Sequence, residues 1–110
     1  MRHQGEGRII QNSSILGLVA MPYRGAYNAS KFGLVGFSDA SMLDLRHHGI
    51  RVIAVLPGSV DTDFHSERGQ NAAEWMLAPE DVARAVLDAM RYPARALCSR
   101  IELRPTRPPR

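Results

Sequence analysis

The chain reads as an α/β protein built on a parallel sheet, and two observations carry that expectation. Arg51-Val52-Ile53-Ala54-Val55-Leu56 is a nearly unbroken, β-branched apolar run without in/out alternation, as a parallel strand covered on both faces requires. It stands between two stretches of helical character, with shorter strand-like runs outside them. The resulting order of strand, helix, strand, helix, strand is that of successive βαβ crossovers.

Taken in order, Arg8 to Ser13 reads as the first strand, apolar in its middle and polar where it ends. Gly17 to Gly25, with Pro22 inside it, reads as a loop. Ala26 to His47 contains no proline, and Gly49 offers a C-terminal stop, so one long helix is expected there. Its apolar residues (Phe32, Leu34, Val35, Phe37, Met42, Leu43, Leu45) do not gather into a single stripe. Ala26, Ala29, Ser30, Gly33 and Gly36 crowd its first half. Both features predict a helix contacted on more than one side. Gly33 and Gly36 each cost about 1 kcal/mol relative to alanine inside a helix, which close approach of a neighbour would offset.

Pro57-Gly58 ends the central strand. Thr62 to Ala78 is weakly periodic and mixed in charge, and reads as a loop with at most a short helix. Pro79 suits a first helical position, and Glu80 and Asp81 favour the first turn through the helix dipole. Val82, Val86, Leu87 and Met90 supply that helix's apolar face, Pro93 ends it, and Ile101-Glu102-Leu103 reads as a last strand.

The 110 residues suffice for one small domain. A formal charge of +3 raises nucleic acid as a partner. The basic residues are scattered along the sequence, however, and gather only in the tail at Arg100, Arg104, Arg107 and Arg110, so nucleic-acid binding is not expected. A single cysteine, Cys98, rules out an internal disulfide and suits a reducing compartment. No apolar stretch is long enough to span a membrane, and the polar start Met1-Arg2-His3-Gln4-Gly5-Glu6 lacks a signal peptide's apolar core. The expectation is a cytoplasmic protein.

The chemistry points to three residues. Lys31 is the only lysine in a chain that otherwise uses arginine, and it follows Tyr27 by about one helical turn, which puts both side chains on one face. A free tyrosine titrates near pH 10, whereas a cation within about 4–6 Å favours the ionised form. A phenol beside an ammonium is therefore a device for proton transfer, worth about 10²–10⁴ in rate when positioned on a substrate. Ser14 closes the first strand, at the end where open parallel sheets hold their ligands. Its hydroxyl could orient a carbonyl or an alcohol.

Asn12-Ser13-Ser14, Tyr27-Asn28-Ala29-Ser30-Lys31 and Pro57-Gly58-Ser59-Val60-Asp61-Thr62, in that order and spacing, resemble the short-chain dehydrogenase/reductase family of classical type. The resemblance runs from about Gly7 to about Thr106. It implies the C-terminal part of a Rossmann-like doubly wound parallel sheet (β-α-β-α-β). Residues 1–110 would form a partial domain, its catalytic half, with a substrate loop at 62–78. It further implies Ser14 as the substrate-orienting serine and Tyr27 as the general acid/base. Lys31 would assist Tyr27 and hold the nicotinamide ribose, while Pro57, Gly58, Val60 and Thr62 would lie beside the nicotinamide. The cofactor would be NAD or NADP, the substrate a small alcohol or carbonyl compound, and the assembly a homo-oligomer joined through the helix 26–47.

Family members are more than twice this long, and their glycine-rich pyrophosphate turn has no counterpart here; neither Gly5-Glu6-Gly7 nor Gly33-x-x-Gly36 supplies the spacing. Two readings therefore stand: an NAD(P)-dependent oxidoreductase, or a truncated, inactive piece or dimerisation module of one. A serine hydrolase is disfavoured. No Gly-x-Ser-x-Gly turn exists, and His47 and His48 lie about 30 Å along the helix from Tyr27. His3 and His65 find no partners at ligand spacing, so no metal site is expected. Trp75 and Met76 suit either the wall of an apolar substrate pocket or the packing of a lid.

Overall fold

The computed structural model describes residues 1–15, 22–60 and 74–109. Strand β1 spans Gly7–Asn12, helix α1 Gly25–Leu45, β2 Ile50–Pro57, helix α2 Pro79–Met90 and β3 Arg100–Leu103. The strands form one parallel sheet in the order β1-β2-β3. The expected α/β architecture is therefore present, with element ends within one or two residues of those read from the sequence.

β2 is the centre of the molecule. Val52, Ile53, Ala54, Val55 and Leu56 are all buried, together with Ile50, Val35 of α1 and Ala89 of α2. Burial of consecutive residues means that both faces of the strand are covered, which explains why its sequence does not alternate. The register Gly7↔Ile50 through Asn12↔Val55 aligns β1 with the first part of β2, and Ala54↔Arg100 through Pro57↔Leu103 aligns β3 with its end.

Local chemistry sets the helix ends. α1 closes in a 3₁₀ turn at Arg46–His48, and Gly49 follows at φ +76°, the left-handed conformation that glycine adopts freely. A Cβ at Gly49 would also run into the carbonyl oxygen of Gly5, so only glycine fits there. At the start of α2 the Asp81 carboxylate accepts a hydrogen bond from the Ala78 N–H at 2.9 Å, with Pro79 as the first helical residue. Arg100 of β3 meets Asp39 of α1 at 2.6 Å, a half-exposed ion pair that ties the last strand to the long helix.

The second contact expected of α1 is not made among the described residues: its buried residues are Asn28, Val35 and Ser38, a single face that packs on β2. Phe32, Phe37 (61% exposed) and Leu43 face solvent, and a Cβ added at Gly33 or Gly36 would meet nothing within 4 Å. The mixed apolar pattern therefore marks a second surface on α1 that no described residue covers.

Candidate active site

The carboxyl ends of the strands collect the residues singled out above. The Ser13 N–H donates to the Val55 carbonyl at 2.8 Å, extending the β1–β2 ladder one residue past β1. The same register carried further brings half-buried Ser14 alongside Pro57, the last residue of β2. α1 returns antiparallel to the strands, so its first turns, which carry Tyr27 and Lys31, start from this same end.

Tyr27 and Lys31 meet as their spacing predicts: the Lys31 ammonium stands 5.2 Å from the centre of the Tyr27 ring. Tyr27 is 42% exposed, so its ring is open to a ligand. Between them, Asn28 is buried, and its N–H donates to the Arg24 carbonyl at 2.8 Å. The Ser30 hydroxyl donates to the Tyr27 carbonyl at 2.7 Å. These contacts fix the backbone from which both side chains project. Among the described residues no carboxylate pairs with Lys31.

The segment after β2 is held by its neighbours. The Gly58 N–H donates to the Leu103 carbonyl at 2.8 Å, and a Cβ at Gly58 would lie 3.2 Å from Pro105 Cδ, tighter than ordinary contact. Val60 pairs with Leu77 in an isolated parallel bridge, and the Leu77 N–H donates to the Ser59 carbonyl at 2.9 Å. That bridge draws the far end of the loop back to the exit of β2. Thr62 and His65 lie outside the described residues, as does most of the 62–78 segment. Half-buried Trp75 and Met76 line a cavity with Leu77, Pro105 and Arg107.

The sequence of the chain agrees with this geometry. A profile described as short chain dehydrogenase matches residues 1–73. The chain belongs to the short-chain dehydrogenase family. Uncharacterized oxidoreductase YbbO of Escherichia coli K12 is 40% identical over 111 residues, covering 84% of this chain and 41% of that protein. A β-ketoacyl-[ACP] reductase (FabG) structure from Bacteroides thetaiotaomicron superposes with a TM-score of 0.81 at 25% identity, over 96% of this chain and 43% of that one. A serine dehydrogenase solved with NADP⁺ gives 0.79 at 28% identity, over 94% and 46%. The chain thus spans less than half the length of these short-chain dehydrogenase relatives.

Two features of this end escaped the sequence. Tyr23, just before α1, sits at φ +62° and is fully exposed, a backbone state that nothing in its residue type announces. Ser13 Oγ is buried without a hydrogen-bond partner among the described residues, beside the serine that was singled out. Among the described residues no group of three His, Cys, Asp or Glu could hold a metal ion, and no helix is long and apolar enough to cross a membrane.

Proposed function

We propose that this chain carries the proton-transfer half of an NAD(P)-dependent oxidoreductase acting on an alcohol or carbonyl substrate. The observation that carries the reading is the Lys31 ammonium 5.2 Å from an accessible Tyr27 ring at the carboxyl end of the sheet. Tyr27 is the general acid/base, giving its phenolic proton to a carbonyl oxygen in reduction and taking one from the alcohol in oxidation. Ser14 hydrogen-bonds the same oxygen and orients it. Lys31 stands against the Tyr27 ring and presents its N–H groups to the ribose hydroxyls.

The residues present fit the nicotinamide-ribose part of NAD or NADP. Pro57, Gly58 and Val60 form a braced backbone edge, Gly58 has no side chain to intrude, and Lys31 has no competing carboxylate among the described residues. Thr62 completes this set in the proposal. When bound, the cofactor supplies or accepts the hydride. Residues 1–110 then form one partial Rossmann-like domain, with 62–78 as its substrate loop, and the cytoplasm is its place.

The test is titration of NADH and NADPH into the purified chain, followed by nicotinamide fluorescence, with turnover of a panel of ketones and alcohols. Tyr27→Phe is expected to lower kcat by about 10²–10⁴ with cofactor affinity retained. A Tyr27→Phe protein with parental kcat would sink the proton-transfer role.

A second reading is favoured by the uncovered face of α1: the chain acts as an assembly module that pairs with a copy of itself through helix 26–47, placing Phe32, Phe37 and Leu43 in the contact. Sedimentation of a dimer, with neither cofactor binding nor turnover, would select this reading over the first.

A further inference from the structure

The amino end of the sheet, opposite Tyr27, gathers positive charge that is dispersed in the sequence. Arg8 and Arg51 are register partners on adjacent strands, and like charges directly opposite each other in a sheet are destabilising. Arg51 also lines two adjoining cavities. One, of about 370 Å³, is bounded by Arg46, Arg95 and Glu6; the other, of about 290 Å³, by Arg8, Glu6 and Gly49. Four arginines thus line these two adjoining cavities, a furrow in which Glu6 is the one acidic residue among those described.

None of the four makes an ion pair among the described residues, whereas Arg91, Arg100 and Arg104 each have a carboxylate partner. The Arg51 guanidinium is steadied by a 3.3 Å hydrogen bond to the Tyr92 carbonyl, which anchors it without neutralising it. The negative end of α1 accounts for a cation at Arg46. It does not account for Arg8, Arg51 or Arg95, which come from both strands and from the segment before β3.

We propose that this furrow binds a compact polyphosphate, a di- or triphosphate group either free or esterified. Guanidinium is the side chain best matched to phosphoryl oxygens, because its planar fork donates two parallel hydrogen bonds. The larger cavity lies within the size range of small-ligand sites. Three arginines, Arg46, Arg51 and Arg95, line it, and Arg8 lines the adjoining one, a local density of cations that suits a short multivalent anion. Such a ligand also relieves the repulsion between Arg8 and Arg51, so its binding favours the folded chain.

The experiment is thermal unfolding of the 110-residue chain with inorganic tripolyphosphate, against sodium chloride at matched ionic strength. Tripolyphosphate is expected to raise Tm saturably by at least about 4 °C. The double variant Arg46→Gln/Arg95→Gln should lose that rise while keeping its far-UV circular dichroism, and Arg46→Lys/Arg95→Lys should keep part of it. ADP in a parallel arm separates the sources: a rise with ADP as well assigns recognition to the phosphate cluster in esterified form, and a rise with tripolyphosphate alone assigns it to the free anion. Line broadening in the ³¹P spectrum of tripolyphosphate at 25 °C gives the same comparison without melting the protein. Equal stabilisation by chloride, or a glutamine double variant that responds like the parent, overturns the proposal.

Discussion

The two ends of the sheet solve opposite electrostatic problems. At the carboxyl end a single ammonium, Lys31, stands 5.2 Å from the centre of the Tyr27 ring, and no described carboxylate pairs with it. At the amino end Arg8, Arg46, Arg51 and Arg95 line two adjoining cavities in which Glu6 is the one acidic residue among those described. The same strands bear both ends, with the buried stretch Val52–Leu56 between them. That apolar stretch separates the two ends, so each can be altered on its own.

The strongest way to break this comparison is Tyr27→Phe. In a turnover assay it should cost about 10²–10⁴ in kcat, and chemical denaturation should find stability unchanged, since Tyr27 is substantially exposed. Loss of stability instead would make the carboxyl end a structural feature. Ile53→Ala strikes the shared middle. Ile53 is among the largest fully buried side chains, so about 2–5 kcal/mol of stability should go, read from the urea midpoint, and both ends should fail together.

Gly49→Ala acts at the amino end alone. The left-handed conformation and the approach of Gly5 predict a loss of about 1–2 kcal/mol. An unchanged midpoint would show that the turn relaxes freely. The smallest effect expected is of opposite sign: Arg8→Gln removes one of two facing cations and should raise stability by about 0.2–1 kcal/mol at low salt, fading as salt is added. A destabilised Arg8→Gln would mean that the furrow is already compensated from elsewhere.

How much of this was legible in the sequence depended on distance along the chain. The central strand, the glycine stop at Gly49, Pro79 with Asp81, and the Tyr27–Lys31 turn are signals between near neighbours, and each appears where it was read. Strand register is not such a signal. Arg8 and Arg51 look unrelated until β1 and β2 are aligned, and the tail arginines that looked like the basic cluster are in part neutralised, Arg100 by Asp39 and Arg104 by Glu102. The small and aromatic residues of α1 pointed to two faces on the helix, but residue types alone could not tell that the second lies uncovered among the described residues. The positive φ of Tyr23 was equally hidden, because tyrosine carries no preference for it.

The outer edge of β1 has a consequence for handling the protein. Among the described residues no strand pairs with that edge, so its amide and carbonyl groups stand ready to recruit a strand from another molecule. Arg8, on this strand and exposed, is the charge that discourages such stacking. The glutamine substitution that improves conformational stability should therefore lower colloidal stability. A protein harder to unfold and yet quicker to precipitate at high concentration would show one arginine serving as a guard against aggregation.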